Sequence, residues 1–102
     1  MLSAATAADP FSGNFIAGLD GEKYRLEIAA FSRGQYDGEY RVANKRLPLE
    51  ARRFGDRIAG RVGVGDSGFG FSAQLREGGL LWHDEKGRLM LFRRERASPG
   101  ND

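Results

Sequence analysis

The amino-acid sequence predicts an all-β fold, namely an eight-stranded antiparallel up-and-down (meander) β-barrel whose lumen is largely filled by side chains. Apolar and polar residues alternate along most of the chain, short turn sequences separate the alternating segments, and no window has the apolar spacing of an amphipathic helix. A further observation is a repeated pattern in which a large apolar residue lies two positions before and two positions after a glycine. It occurs at Phe11–Phe15, Tyr36–Tyr40 and Ile58–Val62.

The glycines of this pattern are Gly13, Gly38 and Gly60. Residues i, i+2 and i+4 of a strand share one side, so each glycine lies between two bulky residues on the inward side of the sheet. The missing side chain allows a strand to bend sharply, as it must where a sheet curls and closes. The spacing suggests four similar hairpins, although glycines that are simply common in β-proteins are an alternative explanation.

The first four strands are predicted at about residues 11–19, 22–31, 35–43 and 46–52. The first and third contain the glycine pattern, and the second alternates without interruption between an apolar and a charged side. Pro48 lies inside the fourth strand, where it removes a main-chain donor. We therefore expect that strand to be short, bulged or at a weak seam.

The last four strands are predicted at about residues 56–64, 68–76, 79–84 and 88–95. The fifth contains the third glycine pattern, and the sixth alternates apolar residues with an outward series of Gly, Ser, Gln and Arg. The seventh and eighth are apolar at most positions and form the final hairpin. All connections are short and rich in turn residues, which favours pairing between sequential neighbours.

An eight-stranded barrel is only just wide enough to be filled by side chains, so we expect no deep ligand cavity. Any binding is then expected at an open end, on the outer wall or through the N-terminal segment. The residues predicted to point inward are Phe11, Phe15, Leu19, Tyr24, Leu26, Ile28, Tyr36, Tyr40, Val42, Leu47, Leu49, Ile58, Val62, Val64, Phe69, Phe71, Leu75, Leu80, Trp82, Leu89 and Leu91.

Composition indicates one soluble globular domain, with 102 residues of which 40% are hydrophobic and 29% charged. The formal net charge of +2 is weak support for a polyanionic partner. The bias toward arginine over lysine is consistent with bidentate contacts to carboxylates or with the codon usage of a GC-rich genome. The absence of cysteine excludes disulfides and thiolate chemistry, and it fits either the cytosol or the periplasm.

The chain ends differ from the central domain. Residues 1–10 are predicted to be a flexible N-terminal arm, residues 11–95 the barrel domain and residues 96–102 a disordered tail. Ala5-Thr6-Ala7 has the small-x-small form of a signal-peptidase site, so the arm is interpreted either as a signal-peptide remnant or as an arm without a targeting role. The first interpretation predicts a periplasmic or secreted protein, and a cytoplasmic location stays open.

No motif indicates catalysis, a cofactor or a metal. Gly63–Gly68 matches G-x-G-x-x-G, but a strand rather than a helix follows it, so it is interpreted as a turn. His83 is the only histidine and lies near a turn, where a solvated side chain is expected. The carboxylates lie mostly beside Arg or Lys, as in surface ion pairs. The sequence therefore predicts a non-enzyme.

Arg52, Arg53, Arg57 and Arg61 could form a basic stripe. Small barrels that bind single-stranded nucleic acid interleave such stripes with outward aromatic residues, which are missing here apart from Phe31. We therefore expect no nucleic-acid partner.

The final hairpin is apolar on both sides. With Leu80, Trp82, Leu89 and Leu91 pointing inward, an apolar cluster points outward, which indicates a partner surface or self-association unless the N-terminal arm covers it through Phe11 or Leu2. The predicted outward cluster is Leu81, Met90 and Phe92. Together with residues at the barrel end, the predicted partner-binding residues are Leu81, Trp82, His83, Asp84, Met90 and Phe92.

Ser12-Gly13-Asn14-Phe15 resembles the start of two groups of small barrels. Calycin barrels open their first strand with Gly-x-Trp and place an Arg from the last strand over it; the corresponding residues here are Phe15 with Arg93 or Arg94. The chain also resembles the small periplasmic metalloprotease inhibitors of Gram-negative bacteria, in which an N-terminal arm enters the protease cleft. That family has a cysteine pair, which this sequence lacks.

These features predict a non-catalytic protein-binding module of the bacterial envelope, of inhibitor or immunity type, that occludes a partner. The alternatives are a lipocalin-like carrier of a small apolar ligand and a structural module that self-associates, for example as a homodimer through the last hairpin. No cofactor, nucleic acid or membrane span is expected.

Overall fold

The structure is a computed structural model that describes residues 9–95. The predicted arm falls outside the described residues except for Asp9 and Pro10, and so does the tail predicted at residues 96–102. Eight strands form a closed antiparallel barrel in which each strand pairs with its neighbours in sequence and β1 pairs with β8, which confirms the predicted fold class. The strands are β1 (Gly13–Leu19), β2 (Glu22–Ser32), β3 (Gln35–Val42), β4 (Lys45–Phe54), β5 (Arg57–Val62), β6 (Phe69–Arg76), β7 (Gly79–Asp84) and β8 (Leu89–Arg94).

The up-and-down order gives the barrel two different ends. The connections β1–β2, β3–β4, β5–β6 and β7–β8 lie at one end, which we call the mouth, and the β5–β6 connection there contains a 3-10 turn at Gly65–Ser67. The other three connections lie at the opposite end, which we call the base, together with residues 9–12 that lead into β1. No helix in the described part of the chain is long and apolar enough to cross a membrane.

Aromatic side chains fill the lumen. Trp82 is completely buried and lies parallel to Phe71, with ring centroids 4.3 Å apart. Tyr40 stacks on the same indole at 5.5 Å and meets Phe69 edge-on at 5.6 Å. Each such aromatic pair contributes about 0.5–1.5 kcal/mol beyond the burial of its area. The predicted filled lumen is therefore confirmed, and Phe11, also fully buried, closes it at the base.

The repeated glycines lie where neighbouring strands approach most closely. A Cβ atom on Gly38 would overlap the main-chain carbonyl of Glu27, and one on Gly60 would overlap that of Glu50. Gly13 has a different role, because its φ of +136° disfavours other residues and the guanidinium of Arg94 occupies the space beside it. Close approach of the neighbouring main chain thus requires glycine at positions 38 and 60, while the expected sharp bending of the strands there stays a prediction.

The orientation predicted for β8 is wrong. Met90 and Phe92 are buried, with 3% and 0% of their surface exposed, whereas Leu89 and Leu91 point outward with 61% and 47% exposed. Every residue from 89 to 92 is apolar, so periodicity contains no information about which side is inward. The four-residue connection 85–88 sets the register instead, placing Met90 opposite the buried Trp82.

Two other expectations also need correction. Val64 is 71% exposed, because β5 ends at Val62 and Gly63 turns the chain with a φ of +85°. The fourth strand is neither short nor bulged at Pro48, whose carbonyl accepts a hydrogen bond from the Gly63 amide. The seam with the fewest paired residues joins β1 and β8 through only two residue pairs.

Candidate binding surface

At the mouth, the carboxylate of Asp84 organises the connection between β7 and β8. Asp84 is 5% exposed and accepts hydrogen bonds from Trp82 Nε1 (2.8 Å), Arg88 Nε (2.9 Å) and the Lys86 amide (2.9 Å). The main chain supports this arrangement, because the Asp84 amide donates to the Arg88 carbonyl. Burial raises the pKa of Asp84, but the hydrogen bonds from Trp82 and Arg88 outweigh it and leave the pKa below its usual value.

Arg88 covers the barrel at this end. Its guanidinium lies 5.0 Å from the centroid of the Phe69 ring and 5.9 Å from that of Tyr24. Tyr40 lies against Phe69 in the same aromatic core, and its burial is the main cause that raises its pKa to about 12. Since the cation is paired to Asp84 and lies across the aromatic core, the mouth acts as a structural closure. Within residues 9–95, no cluster of three or more His, Asp or Glu side chains could hold a metal ion.

A second polar closure lies at the base. Asp9 accepts hydrogen bonds from Tyr36 Oη (2.8 Å) and from the Phe11 amide (2.9 Å), so the chain is attached to the barrel from Asp9 onward. Burial, followed by the hydrogen bond to Asp9, raises the pKa of Tyr36 to about 12. Phe11 packs edge-on against Tyr36 with centroids 5.8 Å apart, so it does not cover the outer side of the last hairpin.

Arg94 holds the first strand to the last. Its guanidinium lies 4.8 Å from the centroid of the Phe15 ring, and its Nη1 donates to the Ser12 carbonyl at 2.6 Å. This contact is the one implied by the resemblance to calycin barrels, with Arg94 rather than Arg93 in the role. It confirms the contact only; membership of that group stays a prediction.

The outer wall of β2–β4 is charged and partly ion-paired. Arg41 forms ion pairs with Glu39 at 2.9 Å and Glu27 at 3.0 Å, whereas Asp37 and Glu50 are two like-charged carboxylates opposite each other across β3 and β4. Such a surface is well solvated and offers little apolar area to a partner.

The outer wall of β6–β8 has a different character. The strand registers place Gln74, Leu81 and Leu91 in one row and Ser72, His83 and Leu89 in the next. None of these side chains is formally charged when His83 is neutral. A groove of about 520 Å³ crosses both rows. We call this surface the uncharged face, and it consists of Ser72, Gln74, Leu81, His83, Leu89 and Leu91.

A second groove of about 530 Å³ adjoins the uncharged face at the β1–β8 seam, and Ile16, Gly18 and Leu91 are among its lining residues. Leu91 thus belongs to the uncharged face and also lines this groove. The seam is paired only at Phe15–Arg94 and Ile16–Arg93, so β1 and β8 form no ladder toward the mouth. Apolar side chains therefore continue from Leu81 on β7 through Leu91 on β8 to Ile16 on β1. The second groove is also lined by the charged residues Asp20, Glu22, Lys23 and Arg93.

The structure separates the predicted partner-binding residues into two groups. Leu81 is half-buried and His83 exposed, and both lie on the uncharged face. The other four are core residues, with 0% of Trp82, 5% of Asp84, 3% of Met90 and 0% of Phe92 exposed. Direct partner contact by these four is not compatible with this burial.

Leu89 and Leu91 were missed as surface residues because β8 is apolar at four successive positions. Ser72 and Gln74 had a usable signal, since the outward side of the sixth strand contains no charge between Gly70 and Arg76. The predicted basic stripe is also not one surface, because Arg53 turns to the base and lies 5.1 Å from the centroid of the Phe11 ring.

Comparisons of the chain with protein-family models, with curated proteins and with solved structures gave no match. The functional argument therefore depends on the geometry of the barrel and its outer wall.

Proposed function

We propose that this protein is a non-catalytic protein-binding module that docks through the uncharged face and occludes a surface of its partner. The observation that supports this most directly is the pair of outward leucines, Leu89 and Leu91, at 61% and 47% exposure within the uncharged face. Contiguous apolar area of this kind marks interaction sites on soluble proteins. An inhibitor or immunity protein of the bacterial envelope is the functional class that we propose.

The barrel provides a rigid platform for such a face. Leu81 and Leu91 are direct cross-strand partners on a closed sheet, so their positions are fixed before binding. Preorganisation reduces the entropy lost on association. Complete burial of a fully exposed leucine side chain contributes about 1.5–3 kcal/mol, and Leu89 and Leu91, at 61% and 47% exposure, gain roughly half of that each, so they anchor an interface whose other contacts supply the remaining affinity.

The filled lumen favours this proposal over a carrier of apolar ligands. Trp82 and Tyr40 occupy the barrel axis, and the Arg88–Asp84 pair lies across the mouth. A carrier needs a cavity of several hundred Å³ inside its walls. Here the two grooves of about 520 and 530 Å³ are bordered by outward residues such as Leu81 and Leu91.

The test compares two double variants, each of which replaces two exposed apolar side chains by serine. Leu89→Ser with Leu91→Ser changes the uncharged face, whereas Phe31→Ser with Phe54→Ser removes two side chains of 60% exposure elsewhere. Immobilised wild-type protein and both variants are incubated with bacterial envelope extract, and bound proteins are quantified by mass spectrometry.

We expect a defined set of proteins to bind the wild type and the Phe31/Phe54 variant but to be lost from the Leu89/Leu91 variant. Equal capture by all three proteins would contradict docking through this face. Uptake of a fluorescent fatty acid with a change in Trp82 emission would instead favour the carrier.

A further inference from the structure

Three arginines border the uncharged face. Arg76 and Arg93 lie one row closer to the base, because both are in register with Gly79. Arg57 pairs in register with Gln74, so it flanks the face on its β5 side, where it also lines the groove of about 520 Å³. All three are exposed and adjoin the face on two neighbouring sides, and we call them the arginine edge.

Among residues 9–95, no arginine of this edge forms an ion pair with a carboxylate at 4.0 Å or less. The side-chain ion pairs of the described barrel involve Arg25, Arg41 and Arg88, and none of these belongs to the arginine edge. Two carboxylates lie in the adjacent base turns: Asp56, which accepts a hydrogen bond from Gln74 Nε2 at 3.3 Å, and Glu77.

Several carboxylates lie at the mouth: Glu85, the exposed Asp66 in the β5–β6 connection, and Asp20 and Glu22, which line the groove at the β1–β8 seam. Glu85 lies over Gly70 and accepts a hydrogen bond from its amide at 2.7 Å, which holds this carboxylate at the mouth and leaves its charge in place. The outward positions of β6, β7 and β8 therefore carry the uncharged face with arginines at its border, while the nearby carboxylates of the described residues lie in the connections and in β2. A surface of this kind is complementary to an apolar patch flanked by carboxylates.

We propose that the protein partner of the uncharged face is acidic, an inference that rests on the proposed function. Its apolar side chains contact Leu81, Leu89 and Leu91, and its Asp or Glu carboxylates accept hydrogen bonds from the arginine edge. Guanidinium groups suit this role because they donate two parallel hydrogen bonds to one carboxylate and are more weakly hydrated than ammonium groups. Carboxylates placed there also steer association, which makes the binding sensitive to salt.

A second copy of this chain is a poorer occupant. It would bring another arginine edge to the same interface, so six cations would share it with few acidic groups. The carboxylate of Glu85 is one of these acidic groups, and it accepts a hydrogen bond from the Gly70 amide. Charge complementarity thus favours a different, acidic protein over self-association.

The test uses random copolymers as defined probes: glutamate with tyrosine, lysine with tyrosine, and polyglutamate alone. Their binding is measured by fluorescence anisotropy at two salt concentrations. The first triple variant is Arg57→Glu, Arg76→Glu and Arg93→Glu. The control triple variant is Arg33→Glu, Arg46→Glu and Arg52→Glu, which changes the net charge equally through three exposed arginines away from the face. Thermal melting and Trp82 emission verify that both variants are folded.

We expect the glutamate–tyrosine copolymer to bind more tightly than polyglutamate, and the lysine–tyrosine copolymer not to bind. The arginine-edge variant should lose about 10-fold or more in affinity for the glutamate–tyrosine copolymer, and the control variant about 3-fold or less. Equal losses in both variants, or equal binding of the lysine–tyrosine copolymer, would overturn the inference. So would a concentration-dependent dimer that the Leu89/Leu91 variant abolishes.

Failure of this inference is distinguishable from failure of the proposed function. If the Leu89/Leu91 variant loses copolymer binding while the arginine-edge variant keeps it, the face binds but its partner is not acidic. If the Leu89/Leu91 variant still binds both the copolymer and the proteins captured from envelope extract, the proposed function itself is wrong.

Discussion

Replacement of Gly38 by alanine tests the link between the glycine pattern and the closure of the barrel. The added Cβ would lie on the carbonyl oxygen of Glu27 and within contact distance of the Ile28 Cα. Both are main-chain atoms of a paired strand, so no side-chain rotation relieves the overlap. Strand β3 must move away from β2, which lengthens ladder hydrogen bonds on both sides of Gly38.

The expected loss of stability is large for a single methyl group. Overpacking in a well-packed interior costs about 1–3 kcal/mol, and a collision with main chain belongs at or above the upper end of that range. A loss of about 3 kcal/mol corresponds to a fall of roughly 12–24 °C in melting temperature for a domain of this size. Gly60→Ala should behave in the same way, because its Cβ would overlap the Glu50 carbonyl.

Gly18→Ala is the matched control. Gly18 also lies in a strand and has no positive φ, but its Cβ would meet only the Glu22 carbonyl at 3.8 Å, an ordinary contact. The free energy of unfolding should change by less than about 1 kcal/mol, because the contact is ordinary and alanine also restricts the unfolded chain. Circular dichroism during heating and Trp82 fluorescence in urea give both free energies of unfolding. If Gly38→Ala is no more destabilising than Gly18→Ala, the close-approach explanation of the glycine pattern is refuted.

Two further predictions concern Asp84 at the mouth and Arg94 at the β1–β8 seam. The pKa of Asp84 is lower in the folded state, so its contribution to stability is complete above the unfolded pKa of about 4 and is lost as the pH falls through the folded value. Urea titrations of Asp84→Asn and wild type should thus differ at neutral pH and converge in acid; a pH-independent difference would contradict this. Arg94→Ala should destabilise the barrel by about 1–2 kcal/mol in urea, because its contacts with Ser12 and Phe15 join β1 to β8. Arg93→Ala, at the neighbouring exposed position that makes neither contact, should cost about 0.5 kcal/mol or less, and equal losses would contradict the role of Arg94.

Local chemistry was sufficient to predict most of the strands. Alternation with a period of two is a property of the extended chain itself, so β2 and β6 were predicted within one residue of their observed limits. Short glycine-rich turns allowed only sequential antiparallel pairing, and the inward glycines indicated the coiling that closes the sheet. Each of these signals lies within about ten residues of sequence, where pattern and physical cause coincide.

The orientation of β8 and the location of the binding surface depend on contacts between residues far apart in sequence. Residues 89–92 are apolar throughout, so only the register with Trp82 decides that Met90 is core and Leu91 is surface. The uncharged face likewise exists only because three strands place Gln74, Leu81 and Leu91 side by side. A linear pattern reports which residues alternate. Which side is buried, and which outward residues become neighbours, is settled by cross-strand hydrogen bonding and packing in the closed barrel.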